Sequence, residues 1–328
     1  MIKVKFECWW TDSNSLSSRI KRQFIFDEDL SNYEIVTENP DYTIVFGRTD
    51  WDKIETPKER TFYFSQEPLW SPNQPKESVN NYCSKILISD KRNYPNESEY
   101  IETLLPMFYA GRGESDTREE WDWSKKIFNT DFSEGKSKKI SSVVTNSYNS
   151  YYFQFENREL NRIIYKDRVD TINKLIEDFT EIDVWGTYQP NNNVNCHGDA
   201  WNKLLSLKEF KFSICFENTI QKNYISEKFW DCILTDTVPI YFGCSNILDY
   251  IPENCFINLT DHIDDYTYVK NKLSYIIENC DEMYNLYLSN IKTLKNSFKE
   301  NKTFNLWERI KFEIESNEKD ITNNEILD

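Results

Sequence analysis

Residues 210–243 hold the densest set of side chains able to do chemistry. Phe216-Glu217-Asn218-Thr219 ends one apolar run, and Tyr224-Ile225-Ser226-Glu227-Lys228 opens the next. A strand handing over to a helix across so short a loop presents free N–H groups and a partial positive charge, which suits a phosphate. Lys228, in the first helical turn, would add a full charge. A plainer reading of the same residues is structural: Ser226 caps the helix, Glu227 complements its dipole and Lys228 faces solvent. No glycine lies between Asn218 and Ser226. The loop is therefore neither a Walker A loop nor a GxGxxG fingerprint, and side chains with helix-end amides would have to hold any phosphate.

Other chemistries find little support. The only histidines are His197 and His262, and neither sits beside a nucleophile in a triad-like context. Eight cysteines form no CxxC pair, which leaves reduced, buried thiols as the expectation rather than a zinc ribbon or a redox motif. With 39 Lys+Arg against 55 Asp+Glu the chain carries a net charge of −16 and lacks the basic footprint of a nucleic-acid binder. Aromatics at 16% are too many for a disordered chain. No run approaches the roughly 18 apolar residues of a membrane span. The opening MIKVKF has no apolar signal-peptide core. The expectation is a protein without an integral membrane segment, located in the cytoplasm.

The elements that must position these groups follow a β/α rhythm. Residues 2–6, 43–46, 61–64 and 85–88 have strand composition, with helices expected at 15–25 and 51–58. Residues 111–138 are polar and hold three of the seven glycines, which suggests a boundary loop. The rhythm then resumes. Strands are expected at 139–144, 182–186, 210–218 and 238–243, and helices at 167–179 and 224–237. From 264 to about 317 the pattern is helical, with a polar end. The expected organisation is an α/β chain of two Rossmann-like domains, 1–138 and 139–300, with a helical tail at 301–328. Such pairs bind ligand in a central cleft, at the carboxyl ends of strands.

The segment FKFSICFENTIQKNYISEKFWDCILTDTVPIYFG resembles the donor-binding signature of the α1,3/α1,4-fucosyltransferases, glycosyltransferase family 10. Phe216-Glu217-Asn218, Tyr224 to Lys228, and Pro239 to Gly243 match its three blocks at the family's spacing. CWWTD at 8–12, DYTIVFG at 41–47, TFYFSQEPLWSPN at 61–73 and the helix-strand unit at 167–186 are looser echoes. The resemblance implies a GT-B fold, with the acceptor mainly on the first domain and the nucleotide sugar on the second. It also implies inverting transfer of L-fucose from GDP-fucose to a glycan hydroxyl, α1,3 or α1,4 to GlcNAc, as in soluble bacterial-type members.

Carried over residue by residue, the resemblance makes Glu67 the base that takes the acceptor proton. Arg168, with Arg162 as fallback, and Lys228 would neutralise the departing diphosphate. Glu227 would bind sugar or ribose hydroxyls and Tyr224 would line the donor pocket. Glu217 and Asn218 would hold the loop or a hydroxyl, with Glu217 as a structural carboxylate the alternative. Trp9, Trp10 and Trp70, at expected strand ends, are acceptor-side candidates because indole faces stack on sugars. Asp27-Glu28-Asp29 and Asp50-Trp51-Asp52 spell the DxD of metal-dependent transferases. Neither lies in the expected donor domain, and cations can do the leaving-group work, so no essential metal is expected. Three rivals stay open: a transferase of this fold using another nucleotide sugar, a non-catalytic carbohydrate-binding relative, and an acidic protein-interaction module that would not bind GDP.

Overall fold

The computed structural model describes residues 1–25, 30–47, 49–68, 71, 77–92, 94, 98–106, 125–144, 162–163, 165–186, 195–198, 200, 203–262 and 264–327. The chain forms two compact units, residues 1–107 with 297–328, and residues 108–296.

In the first unit, short runs of β-branched and aromatic residues form six strands. They are β1 (Ile2–Cys8), β2 (Tyr33–Ile35), β3 (Tyr42–Phe46), β4 (Thr61–Ser65), β5 (Lys85–Ile88) and β6 (Tyr100–Glu102). They pair parallel in the order β2-β1-β3-β4-β5-β6. Every residue of β3 and β4 is buried, as a parallel sheet covered on both faces requires. Between β1 and β2 runs α1 (Ser13–Phe24). Asp12 caps it, accepting from the N–H groups of Asn14 and Ser15, and Leu16, Ile20 and Phe24 recur at helical spacing on its buried face. The helix expected at 51–58 is instead two single 3₁₀ turns, Trp51–Lys53 and Lys58–Arg60. Pro57 disfavours helical geometry at Thr56, and the chain is extended at the break.

The C-terminal helix, Leu306–Leu327, belongs to this unit rather than forming a separate tail. Leu306, Trp307, Ile310 and Ile314 are buried, and Trp307 meets Tyr33 and Phe6 edge-on at 5.4 and 6.3 Å. Tyr42 donates its hydroxyl to Glu318 at 2.7 Å, and Lys85 pairs with Glu313 at 3.1 Å. The boundary expected at 138/139 falls inside the second unit, because Lys138 opens that unit's first strand.

The second unit contains α2 (Lys125–Asn129), β7 (Lys138–Val143), β8 (Arg162–Ile163), α3 (Tyr165–Asp178), β9 (Ile182–Trp185), β10 (Phe210–Phe216) and β11 (Thr219–Ile220). It continues with α4 (Glu227–Leu234), β12 (Val238–Phe242), β13 (Ile257–Asn258), α5 (Tyr266–Glu278) and α6 (Cys280–Ser297). Five strands pair parallel in the order β13-β12-β10-β7-β9, while β8 and β11 form a separate antiparallel pair. Counted along the chain, this sheet has the order 2-1-3-4-5, and the first unit has the same order plus one strand. Both units are therefore doubly wound, with topological switch points between β1 and β3 and between β7 and β10. Ligands of such sheets bind outside the carboxyl ends of the strands at the switch point. Among the described residues no helix is long and apolar enough to cross a membrane.

Candidate functional site

At the carboxyl end of β10, beside the second unit's switch point, Glu217 organises the signature. Its carboxylate is wholly buried. One oxygen accepts from the Ser226 N–H at 2.7 Å and the other from the Ser226 hydroxyl at 2.6 Å. Lys228 Nζ lies 3.6 Å from the same carboxylate. A lone buried carboxylate would be costly; two donors and a facing ammonium compensate for its lost hydration. Burial is the chief cause that pushes the Glu217 pKa up, with the Glu227 charge adding to it and Lys228 opposing it. Both Glu217 oxygens are thus engaged by Ser226, which fits the structural one of the two roles expected for it.

The same bonds explain why α4 begins at Glu227 and not at Tyr224. Glu217 holds Ser226 in extended geometry, and the Ser226 hydroxyl then accepts from the Lys228 N–H at 3.4 Å as the helix cap. Lys228 does not reach into bulk solvent. Its ammonium bonds Ser226 Oγ at 3.1 Å and Glu227 Oε1 at 3.2 Å, and its side chain is 18% exposed. Burial would raise the Glu227 pKa, but Lys228 and Lys203 pull harder and bring it to about 2. The Glu227 side chain stays 31% exposed, so solvent screens part of that attraction.

Gly243 is what lets the third block approach. Its φ is +157°, and a Cβ there would lie 2.3 Å from Glu217 Cγ and 2.6 Å from Glu217 Cβ. Only glycine fits. The Glu217 N–H donates to the Phe242 carbonyl at 2.8 Å, locking β10's end to β12's. Beside them, Asn223 adopts a left-handed conformation, φ +54°. Its N–H donates to Asn246 Oδ1 at 2.8 Å, and its own Oδ1 accepts from Asn246 at 2.9 Å and Tyr250 at 2.6 Å. Tyr224 is buried next to this anchor.

Arg168 enters from the fourth position of α3. It is buried, and its Nη1 donates to Asn218 Oδ1 at 2.5 Å and to the Phe216 carbonyl at 3.3 Å. The structure thus brings Arg168 together with Asn218, and Lys228 together with Glu217 and Glu227, all at β10's end. Two cations converge on one strand terminus at a switch point, an arrangement able to hold a nucleotide diphosphate. The side chain of Arg162, the fallback, lies outside the described residues. Sequence reasoning missed Lys203 and Asp231, whose ion pair of 2.6 Å backs α4, and the Asn223–Asn246 anchor. It quoted Gly243 without its cause; the one signal available was a glycine directly after a fully apolar strand.

In the first unit, Glu67 sits two residues past β4 and is half-buried, accepting from the Ser71 hydroxyl at 2.8 Å. Ser71 also donates its N–H to the Pro68 carbonyl at 2.8 Å. Trp9 and Trp10 follow β1 at that unit's switch point, 57% and 42% exposed, ring edge to ring face at 6.3 Å. Gly47, after β3 with φ +69°, leaves no Cβ against the Trp9 ring. Trp70 and Asp27–Asp29 lie outside the described residues.

The sequence model of glycosyltransferase family 10 (fucosyltransferase), C-terminal part, matches residues 152–310. The chain is 35% identical over 80 residues to GDP-fucose protein O-fucosyltransferase 3 of Gallus gallus, a match covering 23% of this chain and 17% of that protein. It is 35% identical over 95 residues to alpha-(1,3)-fucosyltransferase B of Drosophila melanogaster, covering 26% and 21%. The matched stretches thus span about a fifth of these relatives' own lengths. A crystal structure of an alpha1,3-fucosyltransferase with GDP-fucose shares the fold, with a TM-score of 0.52 over 88% of this chain and 81% of that one, at 17% identity. Fold, family match and relatives agree: the fold is GT-B, and residues 152–310 carry the C-terminal part of glycosyltransferase family 10, the fucosyltransferases.

Proposed function

We propose that this protein is an inverting fucosyltransferase. It moves L-fucose from GDP-fucose to a hydroxyl of an acceptor glycan, forming an α1,3 or α1,4 bond to GlcNAc. The observation that carries the reading is the convergence of Arg168 and Lys228 on the end of β10, within the residues matched by the family. The family relatives and the GDP-fucose complex of the similar structure support the choice of donor.

Inversion takes one displacement. The acceptor oxygen bonds to the anomeric carbon while the bond from that carbon to the diphosphate oxygen breaks. The acceptor proton passes to Glu67, a general-base role worth about 10²–10⁴-fold in rate. GDP departs with the bonding pair, and its growing charge is met by the planar fork of Arg168 and the ammonium of Lys228. Asn218 orients the Arg168 fork. Glu217 fixes Lys228, and Glu227 accepts from donor hydroxyls. No step calls on a metal.

A second acceptor class has a specific observation behind it: the chicken relative is named a protein O-fucosyltransferase. One experiment separates the readings. The protein is incubated with GDP-fucose, GDP-mannose or a UDP-sugar and either N-acetyllactosamine-type glycans or folded protein acceptors, and the new linkage is located by NMR or peptide mapping. Transfer from GDP-fucose to the GlcNAc 3- or 4-hydroxyl is expected. Modification of protein side chains alone would select the second class, and no transfer with any donor would overturn the enzyme reading. Glu67→Gln is expected to lower kcat by at least about 10²-fold with little change in donor KM; wild-type turnover in that variant would remove Glu67 from the base role.

A further inference from the structure

Behind the first turn of α4 lies a buried ion pair that none of the roles above uses. Lys203, in the turn before β10, places its ammonium 2.6 Å from Asp231 Oδ2, with side-chain exposures of 11% and 0%. Asp231 stands four residues after Glu227 on α4, so the two carboxylates share one helix face. A buried pair adds little net stability against apolar residues of similar volume, so its presence asks for another reason.

Glu227 offers that reason. Lys228, next to it, is shared with Glu217 and Ser226. A carboxylate facing both a buried anion, Glu217, and a single divided cation would be poorly held. Lys203 supplies a second cation from a different element. We propose that Lys203 is a positioning residue for the donor site: anchored by Asp231, one turn along the same helix face, its ammonium attracts the Glu227 carboxylate across that turn and keeps it facing the site as a hydrogen-bond acceptor for vicinal hydroxyls of the nucleotide sugar. This rests on the donor-site reading above. Electrostatics agree, because Lys203 is, after Lys228, the second charge that draws the Glu227 pKa down against its burial. The charged groups around Glu227 are Lys228 on its own helix, Glu217 at the end of β10, and Lys203 with its partner Asp231.

The test is a cycle on the full chain, read by calorimetry with GDP and with GDP-fucose. Lys203→Met alone would strand Asp231 as an unpaired buried charge, so the informative variant is Lys203→Met with Asp231→Asn. The expected loss of GDP-fucose affinity is about tenfold in the wild-type background, a typical size for losing support to a charged hydrogen bond. In a Glu227→Gln background the same double change is expected to cost under about twofold, because residues that act through one another are not additive. Lys203→Arg keeps the cation and is expected to restore most of the affinity. A loss shared by GDP and GDP-fucose assigns the ribose hydroxyls, and a loss confined to GDP-fucose assigns the sugar's. Equal losses in both backgrounds, or none in either, would overturn the proposal while leaving the donor site standing. A wild-type protein that binds neither ligand would bring down both.

Discussion

At the scale of single residues, the site is built on carboxylates that are used up by their neighbours. Glu217 spends both oxygens on Ser226. Glu217→Ala would remove the acceptor of the Ser226 N–H and hydroxyl and leave Lys228 with Glu227 alone as its anion. The expected cost is about 1–3 kcal/mol in denaturant unfolding, together with weaker GDP binding. Arg168→Lys tests the planar fork. A lysine keeps the charge but cannot bond Asn218 and a phosphate in the same geometry, so donor KM should rise about tenfold or more with acceptor KM unchanged. A third residue titrates away from the site. Lys136 is buried, bonding the Leu207 carbonyl at 2.9 Å and Thr237 Oγ1 at 2.7 Å, and burial lowers its pKa to about 7. Between pH 7 and the ordinary lysine range the unfolded chain then binds the extra proton, so this group's contribution to stability rises with pH. The buried cysteines, whose pKa values burial raises, act in the opposite sense above about pH 8. The clean measurement is therefore a difference: urea unfolding of wild type minus Lys136→Met should shift in favour of wild type from pH 6.5 to 8.5.

At the scale of elements, the decisive event is where β10 stops and α4 starts. Tyr224, Ile225 and Ser226 belong to a helical pattern by composition, yet they lie before the helix, with Ser226 extended, because Glu217 claims the Ser226 N–H. No periodicity could show that, since the competing bond comes from nine residues upstream. Gly243→Ala probes the same junction from β12. A Cβ inside the contact radius of Glu217, at a backbone angle alanine rarely adopts, must push β12 away from β10. Overpacking of this kind costs about 1–3 kcal/mol. GDP affinity should fall with it, and a variant of wild-type stability and affinity would show that the approach is not needed.

At the scale of the whole molecule, each unit repeats one topology, and each presents its candidates at its own switch point. Trp9 and Trp10 follow β1, while Asn218, Glu227 and Lys228 follow β10. Chain order does not respect the units, for the last helix completes the first one. Truncation after residue 300 should therefore uncover Phe6, Tyr33 and Tyr42 and leave Lys85 without Glu313. Loss of soluble expression, or a fall in Tm of well over 5 °C, is expected, because burying aromatics this size contributes several kcal/mol in all. A truncated chain with unchanged Tm would make the helix an appendage.

The sequence alone determined eight of the eleven described strands of the two parallel sheets to within a few residues, because strand composition and apolar periodicity are local signals; it missed β2, β6 and β13, edge strands of two or three residues that are too short to carry such a signal. It also named the three signature blocks and the absence of a glycine-built phosphate loop. Only the tertiary structure decided what those residues do to one another. Glu217, open between two roles in the sequence, became a structural anchor once Ser226, Lys228 and Gly243 closed around it. Lys203 and Asp231, 28 residues apart, carried no sequence signal at all, since a surface-looking lysine and a mid-helix aspartate acquire meaning only when both are buried. The C-terminal helix gave the same lesson in reverse. Its polar composition suggested a tail, while four apolar residues at helical spacing are buried and one of them, Trp307, found ring partners some 270 or more residues away in sequence. Pairing between distant segments is set by which buried surfaces and charges meet, and the linear order of residues does not encode that meeting locally.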